Sequence, residues 1–123
     1  MEYNTATPIY LQVMEAIKRD IVTGRLKPGE KLPSVRGLAV EYTINPNTAS
    51  RVYQELENEQ VCFTRRGMGT FVTEDEQQIA KLRENMAQGL VRGFLDGAHL
   101  LGFTDEETIQ LLADYINAGN QGA

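Results

Sequence analysis

Asn47, Thr48, Ser50 and Arg51 fall near the start of one helical pattern and offer amide, hydroxyl and guanidinium groups over its first two turns. Groups of this kind can bond the edges of bases in a major groove, and a reading helix reaches them with its N-terminal turns. A second set lies upstream, where Ser34 and Arg36 open a shorter helical pattern whose N-terminus can meet a phosphate. A third lies downstream in Arg65-Arg66-Gly67-Met68-Gly69-Thr70, two cations beside a slender tip. Glycines there let backbone come close to a minor groove and its phosphates. Each feature also has a plainer reading. Capping alone explains Ser34, solvent exposure explains any one of the arginines or readers, and an ordinary hairpin turn explains Met68. Taken together in this order, they point to duplex DNA.

The elements that must hold these groups are legible around them. Ser34 is an N-cap candidate after Leu32-Pro33, and Asn45 caps a second helix that has Pro46 in its first position. Tyr42-Thr43-Ile44-Asn45 is about the length of a helix-turn-helix connection. Ala49, Val52, Tyr53 and Leu56 recur at spacings of three and four, which gives the second helix one buried stripe. Before this pair, Thr7-Pro8 opens a helix from Ile9 to about Thr23, with Ile9, Val13, Ala16, Ile17 and Ile21 as its apolar side. Gly24 stops it, Pro28-Gly29 turns the chain, and Lys31-Leu32 has room for one short strand. After Glu59 the pattern alternates through Val61, Phe63 and Arg65, turns at Gly67-Met68-Gly69 and returns through Thr70-Phe71-Val72, as a hairpin does. Helix, turn, two helices, hairpin is the order of a winged helix-turn-helix.

Beyond Thr73 the composition changes. Residues 1–73 hold nine Lys/Arg against eight Asp/Glu, a balance of +1, while residues 74–123 hold three against nine, a balance of −6. The net −5 therefore belongs to the C-terminal part, and the N-terminal part can still present a basic face. Thr73-Glu74-Asp75-Glu76 suits a helix start, and Ile79, Leu82, Met86, Leu90 and Phe94 mark its stripe. Gly89, Gly93 and Gly97 recur within it, at about 1 kcal/mol each relative to Ala. Close approach of another helix, or a bend, would account for them. Gly102 ends this helix, and Thr104-Asp105-Glu106-Glu107 is a capping-box sequence for a last one carrying Ile109, Leu112, Ala113 and Ile116. Ala118 to Ala123 reads as a frayed tail.

Several classes are excluded or disfavoured. No run of about 18 apolar residues exists to cross a membrane, and the first residues lack the pattern of a signal peptide. The single Cys62 has no disulfide partner, which suits a reducing cytosol, and it reads as a buried thiol in a strand. His99 stands alone without a second ligand at metal spacing, so no metal or other cofactor is expected. No nucleophile–base–orienter set is present, which disfavours an enzyme. A winged helix that binds protein instead of DNA predicts a neutral or acidic face where Arg36, Arg51, Arg65 and Arg66 should gather.

Pro8-Ile9-Tyr10 with Gln12, Gly24-Arg25-Leu26 with Pro28-Gly29, Leu32-Pro33-Ser34 with Arg36, Asn45-Pro46-Asn47-Thr48, and Arg66-Gly67 with Gly69-Thr70-Phe71-Val72 resemble the GntR family of bacterial transcription regulators over residues 8–72. The short C-terminal part resembles the YtrA subfamily. The resemblance implies a mainly α fold with a small β-hairpin. A winged helix-turn-helix DNA-binding domain (1–73) would be followed by a two-helix dimerisation region (74–123). It further implies a cytoplasmic homodimer that represses transcription from an inverted-repeat operator, with an unidentified small-molecule effector as an open partner. The implied DNA contacts are Ser34, Arg36, Asn47, Thr48, Ser50, Arg51, Arg65, Arg66, Gly67, Met68, Gly69 and Thr70. Two departures stand out. Gln60 replaces a usual glycine after the reading helix, and Tyr42-Thr43-Ile44 replaces a Leu-Gly-Val turn. Gln60 must either strain in a left-handed conformation or end the helix differently.

Overall fold

A computed structural model describes residues 1–121. Its order is α1 (Ile9–Val22), α2 (Val35–Tyr42), α3 (Pro46–Asn58), β1 (Cys62–Arg65), β2 (Gly69–Val72), α4 (Glu76–Leu100) and α5 (Asp105–Gln121). The chain divides into two compact units, Met1–Arg83 and Glu84–Ala123.

In the first unit, both expected caps form. Ser34 Oγ accepts from Gly37 N at 3.0 Å, and Asn45 Oδ1 accepts from Asn47 N at 2.8 Å, with Pro46 in the first turn. Each cap is worth about 1 kcal/mol to its helix. Helix α3 buries the expected Ala49, Val52, Tyr53 and Leu56. Val52 and Leu56 are fully enclosed, and each contributes about 1.5–3 kcal/mol by leaving water. On α1 the expected stripe holds at Val13, Ile17 and Ile21, with Met14 in place of Ile9. Val13, Met14, Ile17 and Ile21 are buried, Ala16 is half-buried and Ile9 is exposed. Helical spacing allowed Met14 as readily as Ile9, and the docked neighbours chose it.

The wing is an antiparallel hairpin in which Cys62 pairs with Val72 and Arg65 with Gly69. The tip is thus Arg66-Gly67-Met68, closed by Met68 N donating to Arg65 O at 2.9 Å; Gly69 belongs to the strand. Phe63 and Phe71 stack across it at 5.6 Å between ring centres. Lys31 bridges to Phe71, and Leu32 N donates to Thr70 O at 2.8 Å, so the expected short strand is a brief third rail along β2.

Two helix ends decide how these parts are aimed. After α2, Ile44 N donates to Ala39 O and Thr43 N to Val40 O; after α3, Val61 N donates to Leu56 O and Gln60 N to Glu57 O. Both are Schellman closures, which need a left-handed residue at their centre. Thr43 supplies it with φ 54° and Gln60 with φ 62°. Gln60 therefore keeps the glycine's conformation in spite of its side chain. The wing leaves α3 by the ordinary route.

Asp75 Oδ1 accepts from Gln77 N and Gln78 N to start α4, and Leu82 is buried within the first unit. In the second unit, Gly102 (φ 86°) centres another such closure, with Phe103 N donating to Ala98 O. The capping box is reciprocal: Glu107 N donates to Thr104 Oγ1 and Thr104 N to Glu107 Oε1. Ala98 and Thr108 are buried there, but Leu90, Val91, Phe94, Ile109, Leu112 and Ile116 are exposed. Among the described residues, a Cβ built on Gly89, Gly93 or Gly97 would meet no atom within 4 Å, so crowding within this unit does not account for them. The tail expected to fray from Ala118 is helical through Gln121, and its last two residues lie outside the described residues.

Candidate nucleic-acid interface

On α3 the buried stripe occupies one side, and 100° per residue puts Asn47, Ser50, Arg51, Gln54 and Asn58 on the opposite one. All five are exposed, and Thr48 is half-buried at the flank. Four of the expected readers thus come together on the first turns of one helix. Gln54 continues their face one turn further, an amide donor and acceptor that the capping and spacing signals did not single out. Its exposure opposite the buried stripe is the signal that finds it.

The N-terminus of α2 is tied to this helix. Tyr53 Oη donates to the carbonyl of Pro33 at 2.5 Å, which fixes the residue just before the Ser34 cap against the middle of α3. Burial, and then the nearby Cys62, Glu41 and Tyr42, push the Tyr53 phenol upward, so it stays a neutral donor. At the other end of α2, Tyr3 Oη donates to Tyr42 O at 2.6 Å. Ser34 and Arg36 are exposed at the start of α2, where its first amides point outward.

Wing and reading helix are joined by Glu57, whose carboxylate accepts from Thr64 N at 3.2 Å and Thr64 Oγ1 at 3.4 Å. Arg65, Arg66, Gly67 and Met68 are exposed. Thr70 is half-buried, with its hydroxyl 3.4 Å from that of Thr64. Arg65 also leans over the Phe63 ring, 5.4 Å from its centre. Lys31 is a cation that the spacing did not flag. A Cβ built on Gly69 would come within 3.1 Å of Lys31 Cε, so the lysine stem runs across the bare strand at the wing. Only the pairing of Lys31 with β2 brings it there, and that pairing is long-range.

Among the described residues, ion pairs engage Lys18 with Glu59, Arg25 with Asp20 and His99 with Asp105. Arg36, Arg51, Arg65, Arg66 and Lys31 are in none of them. These cations are exposed and uncompensated, which is the state that attracts a polyanion. Cys62 is 3 % exposed, and burial, with Glu57 adding to it, pushes its thiol up to about 12. It is a small core residue in this setting. No group of three His, Cys, Asp or Glu among the described residues is arranged to hold a metal. No described helix is long and apolar enough to cross a membrane.

Comparison with known proteins agrees with this geometry. The HTH-type transcriptional regulator YhcF of Bacillus subtilis is 36% identical over 118 residues, covering 96% of this chain and 98% of that protein. The HTH-type transcriptional repressor YtrA of the same organism is 38% identical over 102 residues, 78% of each chain. A solved GntR family transcriptional regulator from Listeria monocytogenes superimposes with a TM-score of 0.84 at 37% identity, over 91% of this chain and 98% of the other. Residues 9–72, from the start of α1 to the end of the wing, match the family of bacterial regulatory proteins called gntR. The chain belongs to that family as a YtrA-like transcriptional regulator, with its winged helix-turn-helix as the DNA-binding domain.

Proposed function

We propose that the chain is a cytosolic repressor that binds an inverted-repeat operator as a homodimer. The observation that carries the reading is the exposed polar face of α3, flanked by the α2 N-terminus and the wing, with Arg36, Arg51, Arg65 and Arg66 free of carboxylates. Asn47, Thr48, Ser50 and Gln54 would read base edges in the major groove. Ser34 and Arg36 would fix a phosphate at the α2 N-terminus. Arg65, Arg66 and the Gly67-Met68-Gly69-Thr70 tip would follow the adjacent minor groove, with Lys31 behind them.

The second copy is called for by the C-terminal unit. Leu90, Val91, Phe94, Leu100, Leu101, Ile109, Leu111, Leu112, Tyr115 and Ile116 are all exposed on about forty residues. A unit of that size with its apolar side chains outward has too little core to be stable alone. Pairing two copies covers them, and a two-fold axis sets two reading helices at half-sites one or more DNA turns apart. The open faces at Gly89, Gly93 and Gly97 would let a partner helix come close. The repressor assignment follows the name of the YtrA relative.

Fluorescence anisotropy on duplexes selected from random DNA tests the reading. Affinity should favour the selected sequence and fall steeply with salt, as phosphate neutralisation releases counterions. No preference over random duplex at any salt would refute it. In sedimentation, the full chain should be a dimer, while a chain ending at Arg83 should be a monomer that needs only one half-site. A full-length monomer at micromolar concentration would refute the dimer.

A further inference from the structure

Arg51 stands four residues before Glu55 on α3, the spacing at which a helix commonly closes a salt bridge. That pair is not formed. The Arg51 guanidinium lies instead over the ring of Tyr10, 3.8 Å from its centre, on the first turn of α1. Tyr10 is half-buried, and its hydroxyl has no hydrogen-bond partner among the described residues, so the face of the ring is the part in use. A guanidinium over an aromatic face keeps donors free at its edge and stays fully charged.

We infer that Tyr10 is a positioning residue for Arg51, a shelf that holds the guanidinium in one place and away from Glu55. The charge then meets DNA ordered and uncompensated. This rests on the reading of Arg51 as a DNA contact. A free Arg side chain loses much rotamer freedom when it binds, and one already seated on a ring loses less. It also keeps a neighbouring carboxylate from competing with phosphate or base for the same donors. A cation–π contact at a partly exposed site corresponds to about a two- to fivefold factor in an equilibrium, which sets the size of the effect.

The test is a double-mutant cycle on the full-length protein, read by anisotropy with an operator duplex enriched by selection and with a scrambled duplex. Tyr10→Phe keeps the shelf and should bind like the parent. Tyr10→Leu removes it and should weaken operator binding about two- to fivefold. In an Arg51→Ala background, Tyr10→Leu should change nothing further. Glu55→Gln should raise affinity more in the Tyr10→Leu background than in the parent, where loss of the same charge near DNA sets the baseline, and equal gains in both overturn the inference. Thermal melts of the same proteins separate folding from binding, and if Tyr10→Leu melts at the assay temperature, Tyr10→Met takes its place in the cycle. Equal losses from Tyr10→Leu with and without Arg51 overturn the inference, as does a Tyr10→Phe protein that binds as weakly as Tyr10→Leu. A parent that prefers no duplex overturns this inference and the regulator reading together, whereas a specific parent with additive losses overturns this inference alone.

Discussion

Thr43, at the turn between α2 and α3, carries a measurable strain. Its φ of 54° and ψ of 53° lie in the left-handed well, which raises an L-residue by about 1–2 kcal/mol, and β-branching puts Thr at the upper end. Glycine escapes that term but loses about 0.4–1 kcal/mol more backbone entropy on folding. The Thr43 side chain is exposed and makes no hydrogen bond among the described residues, so little else is lost on removing it. The difference leaves Thr43→Gly more stable by about 1 kcal/mol. In a unit the size of Met1–Arg83 that is a rise in Tm of about 4–8 °C. Circular dichroism melts of the parent, Thr43→Gly and Thr43→Ala measure it. Thr43→Ala drops the branch but keeps Cβ, so it should recover only a fraction. Gln60→Gly, relieving an unbranched residue at φ 62°, should gain less than Thr43→Gly. A neutral or destabilising Thr43→Gly would show that the left-handed residue is not strained.

Leu56→Ala should lower stability by about 2–5 kcal/mol, because the side chain is fully enclosed, and a urea midpoint that barely moves would contradict the assigned core. Tyr53→Phe removes the donor to the Pro33 carbonyl and should cost about 1 kcal/mol, with a weaker operator complex as the α2 N-terminus loosens; a protein unchanged in both respects would show that this bond positions nothing. The Cys62 thiol, raised to about 12 from an ordinary value of 9.0, keeps its proton in the folded state when the unfolded chain has lost it. Its contribution to stability is thus full below about pH 9 and declines as pH rises toward 12. Alkylation at pH 8 should track unfolding, and rapid labelling of the native protein would refute the burial.

The parts legible from sequence were those fixed by local chemistry. Ser34, Asn45 with Pro46, and Thr104 with Glu107 each announce a helix start within four residues, and all three starts form as read. The stripe of α3 is likewise set by its own period. On α1 the period admits both Ile9 and Met14, and only the docking of the other elements decides between them. Gly69 looked like part of the turn because glycine is common there, while the ladder needs it as the partner of Arg65. Lys31, Tyr10 and Glu57 were not legible as neighbours of the proposed DNA-binding face because each makes its contact across elements. Lys31 crosses Gly69, Tyr10 carries Arg51, and Glu57 holds Thr64.

The C-terminal unit shows the same division in a sharper form. Its helix limits, caps and Gly102 turn are local, and they can be read off one chain. What its apolar stripes face is a different kind of fact. Leu90 and Ile109 lie on helical faces that a single chain leaves open, at 77% and 69% exposure. Periodicity states that such a face wants covering and is silent on whether the cover is the same molecule. The acidic balance of −6 in residues 74–123 bears on that point, because helices so charged are repelled by phosphates and have no use on the DNA side. Apolar surface left open on helices that DNA repels supports the proposal that protein covers it. With Arg36, Arg51, Arg65 and Arg66 in no ion pair on the winged helix, the proposed second copy would answer to both halves of the chain at once: it would bury the stripes and double the cationic face over a symmetric site.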